Sequence, residues 1–439
     1  MTEAAGTAPS QSQGTLQSSA GGFFRSTEID PRLFGMLVAL AAMLVGFQIF
    51  SGGTFLTPVN MMTLAIQASG TAIVATGMVL IIVSRNIDLS VGSQIGVLTM
   101  LYALLMADWL PTVGLQLGDP LTWIVALALG IAVGAAIGGF QGFIISYIGV
   151  PSFIVTLGGL LALRGVVWMM SNGAAVSGID ETFRKLGGGY RGSVGGDTTW
   201  FLAVIVCLAI IAYLAYSRRQ RARFGFPLRP VWADVLLGAV SCGVVLFVAY
   251  YANEVIWPSR VASEFAAAQG IVEPEGGLRI PVGFPWPLLL VVGTMLAMTF
   301  LANRRRFGRY VYAYGGNPDA ADLAGINTRR TIMKTFILIG VLCALAAAIA
   351  AARLNGATLD IGTTEELYVI AAAVVGGTSF AGGIGTISGA VLGAVVMQTL
   401  AYGLAFNGVN AAQQNIVAGV VLVVAVGFDT YNRRRGGLR

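Results

Sequence analysis

Long apolar segments separated by short polar connections run through almost the whole chain. Most of them approach or exceed the ~20 residues that a helix needs to cross a bilayer. A shorter apolar piece at 367–382 is either one more span or a re-entrant segment. The chain is therefore predicted to be an all-α polytopic membrane protein with about 10 to 12 transmembrane helices. Spans are predicted near 33–50, 61–83, 89–106, 122–148, 153–170, 199–216, 231–251, 286–302, 333–352, 385–404 and 413–428.

Composition supports this class and excludes several kinds of site. Hydrophobic residues make up 56% of the 439 and charged residues 10%, whereas soluble domains carry about 25% charged residues. The chain has no histidine and three cysteines, and the cysteines are scattered through apolar runs, so the common zinc and copper sites are excluded. We predict no metal, no cofactor bound by this chain and no nucleic-acid partner. We expect the spans to contact the lipid bilayer.

The two ends of the chain differ from its middle. Residues 1–32 are rich in Ser, Gly, Gln and Thr and are predicted to form a disordered cytoplasmic tail. They lack the basic region that opens a cleaved signal peptide, so the first span is predicted to remain as an anchor. Residues 33–429 form the predicted transmembrane domain, and 430–439 a basic cytoplasmic tail.

Basic residues predict the orientation, because cytoplasmic connections carry an excess of Lys and Arg. Twelve spans with both termini in the cytoplasm place every arginine cluster inside. The connection 171–198, with Arg184, Lys185 and Arg191, is the exception. The clusters are Arg218, Arg219, Arg221, Arg223 and Arg229; Arg304, Arg305, Arg306 and Arg309; Arg329, Arg330 and Lys334; and Arg433, Arg434, Arg435 and Arg439.

Two glycine-rich segments resemble each other. GIAVGAAIGGFQGFIISYIGV (Gly130–Val150) and GAVLGAVVMQTLAYGLAFNGV (Gly389–Val409) share glycines at matching places. They run in opposite directions in the predicted topology, as in the inverted repeats of many transporters. The alternative is that glycine-rich spans look alike by chance, and the residues alone leave both open.

A short polar helix is predicted between two spans on the arginine-rich side. Its N-cap is Asn317, followed by Pro318 at the first helical position and Asp319 on the positive end of the helix dipole. Gly325 ends the helix. The helix has about two turns, so it is too short to be stable alone. The helix either packs only on its own spans or docks on a partner. Its remaining residues are Ala320, Ala321, Leu323, Ala324 and Ile326.

The polar residues of the spans are mostly neutral, which suits an uncharged, hydroxyl-rich solute such as a sugar. Arg164 is the main ionisable residue within a run and either snorkels to the surface or lines a pathway. For Asp88, we favour the role of N-cap of the third span over contact with cargo. GGTSFAGG (376–383) is predicted to be a break within the membrane. The candidates for a translocation path are Asp88, Ser90, Ser93, Phe153, Thr156, Arg164, Gly376, Gly377, Thr378 and Ser379.

The chain lacks the residues of an ATPase. A phosphate-binding P-loop needs a Gly-Lys pair, and the two lysines follow Arg184 and Met333. No catalytic triad or paired-carboxylate site is evident. The chain is therefore predicted not to be an enzyme.

Four stretches resemble the sugar-type ABC importer permeases of the ribose, xylose and galactose group. GRYVYAYGGNPDAADLAGINTRR (Gly308–Arg330) is similar to the cytoplasmic coupling helix of that family, which a separate ATPase subunit grips. The others are SRNIDLSVGS (Ser84–Ser93), GVPSFIVTLGGLLALRG (Gly149–Gly165) and AAAVVGGTSFAGGIGTISGAVLGA (Ala371–Ala394).

The resemblance implies a pore-forming homodimer in the bacterial cytoplasmic (inner) membrane. Its implied partners are two ABC ATPase subunits, which use the ATP, and an extracytoplasmic sugar-binding protein. A two-span insertion near 187–285 is similar to one in xylose permeases and favours xylose. The alternative is a secondary sugar carrier driven by an ion gradient. Such carriers usually need buried Asp, Glu or His relays, which the spans are predicted almost to lack.

Overall fold

The computed structural model describes residues 28, 30–271, 274 and 277–435. Most of the predicted tail 1–32 lies outside these residues. The predicted basic tail begins inside the last helix, which continues to Arg435, and residues 436–439 also lie outside the described part.

The described chain is almost entirely helical, with one two-stranded pairing. The helices are α1 (Pro31–Phe50), α2 (Pro58–Val83), α3 (Val91–Leu104, extended by turns to Thr112), α4 (Thr122–Phe143, extended by a π turn to Ile148), α5 (Ser152–Ser171), α6 (Glu181–Arg184), α7 (Gly196–Arg223), α8 (Val231–Glu254), α9 (Ser259–Gln269), α10 (Trp286–Arg304), α11 (Arg306–Gly316), α12 (Pro318–Leu323), α13 (Thr328–Leu354), α14 (Glu365–Val375), α15 (Ile387–Phe406) and α16 (Ala411–Arg435). The strands are β1 (Val176–Ser177) and β2 (Gly356–Ala357), which pair antiparallel.

The all-α polytopic membrane class is confirmed. In the described part of the chain, ten helices are long and apolar enough to cross a bilayer: α1, α2, the extended α3 and α4, α5, α7, α8, α10, α13 and α15. The described apolar part of α16 covers Ala411–Val424. The ambiguous piece near 367–382 forms α14, whose 11 residues reach about 16 Å, half of a bilayer core.

Glycines bring the central helices into backbone contact. Gly134 and Gly138 of α4 face α13, where a Cβ on Gly138 would clash with the Phe336 carbonyl oxygen. On α15, Gly389 and Gly393 face the backbone of α14 in the same way. Without side chains between them, helices approach closely enough for dispersion contacts to stabilise the bundle in lipid.

Hydrogen bonds show at which of the two ends of the bundle each connection lies. At the arginine-rich end, defined by the connections 224–230 and 305–327, Arg221 and Arg229 bind Glu28 and hold the pKa of its carboxyl at about 2, Arg221 contributing most. The start of the described chain therefore lies at this end. At the opposite end, defined by 172–195, 255–285 and 355–357, β1 pairs with β2, and bridges join Ser193 to Pro285 and Ile256 to Pro281.

Two crossings are broken half-way through the bundle. After α2 the chain turns back as a re-entrant loop, residues 84–90, and α3 begins where Val91 O meets Cys343 Sγ of α13 at 3.9 Å. After β2, the re-entrant loop 358–364 descends from the opposite end, and α14 begins where Glu365 accepts a hydrogen bond from Thr71 of α2. Cys343 and Thr71 lie near the middle of their 27- and 26-residue helices. Both α3 and α14 therefore begin at mid-depth.

The broken crossings have the same order of elements in the two halves of the bundle. Each consists of a re-entrant loop followed by a helix that begins at mid-depth. The packing follows the same exchange, because α13 packs on α4 as α2 packs on α15, and α3 packs on α5 as α14 packs on α16. This arrangement agrees with the predicted inverted repeat, which stays a prediction.

The region 187–285 stands at the edge of the bundle. Helices α7 and α8 form a hairpin that packs mainly on itself and touches α2. Its small core contains Ala203, Ala249 and Ala252 with Phe284. An ion pair of 2.6 Å between Arg218 and Asp234 joins the two helices near the arginine-rich end. The description of this region as an insertion stays a prediction.

The close approach of α4 and α13 predicts that Gly138→Ala destabilises the bundle. A methyl group there must displace backbone, at a cost of about 1–3 kcal/mol, despite the higher helix propensity of alanine. Thermal unfolding in detergent, followed by size-exclusion chromatography, measures the loss. The matched control is Gly139→Ala, whose Cβ would lie 3.4 Å from Ile337. Equal stability of the two variants would contradict the packing argument.

Candidate functional site

Helix α5 holds both re-entrant loops in place. Ser152 Oγ accepts from the Ile87 amide at 3.3 Å, and Thr156 Oγ1 lies 3.3 Å from the Ile87 carbonyl oxygen. Further along α5, Arg164 Nη1 donates to the carbonyls of Leu359 at 3.3 Å and Ile361 at 2.9 Å. Non-helical backbone at membrane depth must find such partners inside the protein. Arg164 therefore serves the loop 358–364 and does not snorkel to the surface.

A buried polar network surrounds the start of α3. Asp88 Oδ1 accepts from the amide of Ser90 at 2.8 Å and from its hydroxyl at 2.6 Å. Ser90 Oγ also contacts the side-chain amides of Gln94 at 2.8 Å and Gln141 at 3.0 Å. The predicted N-cap role of Asp88 is wrong: the N-cap is Ser90, and Asp88 shapes the loop before it.

A second polar group surrounds the start of α14, and sequence reasoning missed it. Glu365 accepts from Thr71, whose hydroxyl in turn accepts from Gln398 Nε2 at 2.6 Å. Glu366 lies against the backbone of Gly92, where a Cβ would clash with its Oε2. Both glutamates come directly after a polar connection in the sequence, which gives no sign of their depth.

These contacts correct one part of the sequence interpretation. The spans were predicted to hold almost no ionisable groups besides Arg164, and that prediction is wrong. Asp88, Glu365 and Glu366 lie at mid-depth because the loops before α3 and α14 carry them inward. Hydropathy along the chain cannot detect polar residues that enter the membrane on a re-entrant loop.

The glycine-rich loop 376–386 lies at the arginine-rich end and not in the middle of the membrane. Its Gly383 amide donates to the Val83 carbonyl at 3.0 Å, at the end of α2. Gly376 packs on Gly389, while Thr378 and Ser379 are buried. The predicted break exists, but α14 brings the chain to the end of the bundle before the break begins. Gly377 also lies in this loop.

The predicted coupling segment is a capped helix, as the sequence indicated. Asn317 Oδ1 accepts from the Ala320 amide at 3.0 Å, Pro318 begins α12, and Gly325 ends the segment with φ of 78°. Ala321 is 4% exposed and faces the protein, while Leu323 is 90% exposed. The outward apolar surface therefore consists of Leu323 and Ala324, beside the exposed Asp319 and Ala320, and Ile326 is half-buried.

A second helix, α11, precedes α12 and was not predicted separately. Its buried face carries Gly308, Val311 and Gly315. At its end, Arg85 Nε donates to the Gly315 carbonyl at 2.8 Å and Arg85 Nη2 to the Gly316 carbonyl at 3.0 Å. Arg85 adopts a φ of 58°, which is uncommon for a residue with a side chain. We call Val83, Arg85, Gly315, Gly316 and Gly383 the junction.

Of the ten predicted path residues, Asp88, Ser90, Ser93, Thr156 and Arg164 gather around α3 and α5. Phe153 stands apart, 51% exposed at the start of α5. An apolar groove of about 610 Å³ between α1, α2, α8, α10 and α15 includes none of the ten.

Comparison with known proteins identifies the family. The family model described as "Branched-chain amino acid transport system / permease component" matches residues 60–237 and 239–426. No solved structure matches the chain.

Relatives are similar over nearly their full length. The xylose transport system permease protein XylH of Haemophilus influenzae is 34% identical over 94% of this chain and 100% of its own. The ribose import permease protein RbsC of Escherichia coli is 32% identical over 89% of this chain and 92% of its own. The galactose/methyl galactoside import permease protein MglC of Escherichia coli is 27% identical over 91% of this chain and 95% of its own. The chain therefore belongs to the branched-chain amino acid transport system/permease component family, as a multi-pass transport subunit and not an enzyme.

Proposed function

We propose that this chain is the membrane permease of an ATP-driven importer of xylose. Permeases of ABC importers work with an ATPase and a substrate-binding protein. The observation that carries the proposal is the 34% identity to a xylose permease, which covers 94% of this chain and so includes most of the 187–285 region. Two copies would form the path, and ATP would be bound only by the partner subunits.

Charge supports an orientation for this assembly. The arginine-rich end, with both described ends of the chain, would face the cytoplasm of a bacterium, where positive connections are retained. From the opposite end, the path would follow α5 between the two copies, past Arg164, Thr156 and Phe153 towards Gly376, Gly377, Thr378 and Ser379. The loops 84–90 and 358–364 flank α5, so Asp88, Ser90 and Ser93 would meet the cargo only when α5 moves.

Cargo identity is tested by uptake of labelled xylose. Cells that lack their own xylose uptake and express this permease with its ATPase and binding protein should accumulate xylose. Unlabelled xylose should compete at least about tenfold better than ribose or galactose, the discrimination that a polar sugar site provides. A vesicle assay with an ion gradient and no ATPase should show no transport. Uptake there would instead favour a secondary carrier.

The segment Asn317–Ile326 would be the coupling helix that the ATPase grips. Its exposed Leu323 stands on a capped helix, flanked by the exposed Arg309, Arg329 and Arg330. An exposed leucine on a positioned helix suits an apolar pocket in a partner, because burying its side chain there removes apolar surface from water. Gly325 and the Asn317 cap fix the direction in which this side chain points.

Leu323→Asp is expected to weaken docking of the ATPase by about 2 kcal/mol, the free energy of burying one leucine side chain, which is roughly thirtyfold. Co-purification of the ATPase and xylose uptake should both fall, while the amount of inserted permease stays unchanged. The matched control is Leu228→Asp, which alters an exposed leucine of another connection at the arginine-rich end. Normal co-purification with the Leu323 variant would remove the docking role.

The junction would transmit movement of the coupling helix to the bundle. Arg85 joins the end of α2 to the two residues before Asn317, and Gly383 joins loop 376–386 to the same point. A Cβ on Gly315 would clash with the Val83 carbonyl oxygen, so these segments meet backbone to backbone. Closely packed backbones move together, because they have no flexible side chain between them.

Arg85→Ala is expected to uncouple hydrolysis from transport. Loss of its two hydrogen bonds should lower xylose uptake by about tenfold, within the range of coupling energies, while the ATPase still binds and hydrolyses ATP. The measured quantity is the ratio of sugar transported to ATP hydrolysed in proteoliposomes. Arg219→Ala, which removes an exposed arginine of α7 near the arginine-rich end, is the control. An unchanged ratio for the Arg85 variant would show that the junction does not transmit movement.

A further inference from the structure

Two arginines of the α7–α8 connection hold an anion just before the first span. The Glu28 carboxylate accepts hydrogen bonds from Arg221 Nη1 and Nη2, both at 2.7 Å. Its Oε2 also accepts from Arg229 Nη2 at 2.6 Å and from Arg229 Nε at 3.0 Å. Hydrogen bonds between guanidinium groups and an anion are among the strongest that side chains form. We call Arg221 and Arg229 the arginine fork.

Contacts other than those with Glu28 position the arginine fork. Arg221 lies in the last turn of α7, and Arg229 lies two residues before α8. Arg218 braces the connection between them, because its Nη1 donates to the Arg229 carbonyl at 3.0 Å and to Asp234 Oδ2 at 2.6 Å. A positioned site loses less conformational entropy when a ligand binds. The arginine fork is therefore a preformed anion site, and Glu28 is its present occupant.

Glu28 is an occupant that another anion can replace. Its side chain is 41% exposed. Its φ of 52° is uncommon for a residue with a side chain, so the bonded conformation is unfavourable for its backbone. The hydrogen bonds from Arg221 and Arg229 lower the pKa of Glu28 to about 2, and protonation therefore does not release it at physiological pH. Release needs a competing anion.

The surroundings of the arginine fork suit a phospholipid. The connection joins two helices that are long and apolar enough to cross a bilayer, and its Phe224 and Phe226 are 66% and 63% exposed. Aromatic residues suit the boundary between headgroups and acyl chains. Residues 216–234 contain five arginines and one acidic residue, and such clusters beside a span attract anionic lipids. A small soluble anion would leave both phenylalanines in water.

We infer that the arginine fork is a binding site for the phosphate of an anionic phospholipid, which displaces Glu28 from it. A phosphodiester offers two oxygens and one negative charge, as a carboxylate does, and it therefore matches the same guanidinium groups. The exchange releases the start of the first span from the α7–α8 hairpin. The inference goes beyond the proposed import function and does not depend on the identity of the sugar.

The first test separates a site from the general positive charge of the region. Native mass spectrometry of the full-length protein in detergent, titrated with phosphatidylglycerol, gives the Kd of the first lipid bound. Arg221→Lys combined with Arg229→Lys keeps both charges and removes the planar donor groups. The Kd should rise about tenfold, because hydrogen bonds to a charged group are lost. The matched control is Arg219→Lys with Arg223→Lys, two exposed arginines outside the fork, and its Kd should not change.

The second test removes the competitor. Glu28→Gln should lower the Kd for phosphatidylglycerol by about tenfold, because a site that is free only about a tenth of the time binds correspondingly more weakly. A gain in affinity cannot come from misfolding. The matched control is Asp30→Asn, which removes the same charge two residues further on and keeps a good N-cap for α1. That variant should bind as wild type does.

Four results would overturn the inference. An unchanged Kd for the double lysine variant of the fork would show that only diffuse charge attracts the lipid. An unchanged Kd for Glu28→Gln would show that the lipid does not compete with Glu28. Displacement of the lipid by inorganic phosphate would identify a site for soluble anions. If the fork variant instead lost the ATPase on co-purification and kept its lipid, the fork would be a protein contact.

Discussion

The structure depends on how α5 satisfies two stretches of non-helical backbone inside a bilayer. Peptide groups of the loops 84–90 and 358–364 that lie away from water need partners inside the protein, and an unpaired one costs several kcal/mol. Ser152 and Thr156 bind one loop, and Arg164 binds the carbonyls of the other. One helix thereby supports both re-entrant loops.

The same break in the helices makes the fold suitable for transport. Continuous helices hold all their polar backbone groups internally and present only side chains to a path. Here α3 and α14 begin at mid-depth and bring helix ends, carboxylates and amides into the interior. The outward-facing capped helix α12 is tied to the same bundle through Arg85 and Gly383. Backbone contacts therefore connect the arginine-rich end of the bundle with the helices that carry the mid-depth polar groups.

Much of the fold could be predicted because it is local. The spans follow from runs of apolar residues, and the capped helix α12 follows from Asn317, Pro318 and Gly325, whose effects act within one or two turns. The depth of Glu365 and Glu366 could not be predicted in this way. They follow a polar connection in sequence, and only the descent of the loop 358–364 places them beside Thr71 and Gly92.

The sequence by itself determined the membrane class, the arginine-rich side, the capped helix between two spans and the family. Each of these depends on composition or on short-range chemistry, which a linear pattern records. Only the tertiary structure decided that Arg164 binds a loop, that Asp88 lies before the N-cap and that α14 crosses half the bundle. Those outcomes depend on which backbone groups remain without hydrogen-bond partners after the helices pack. Residues distant in sequence then supply the missing partners.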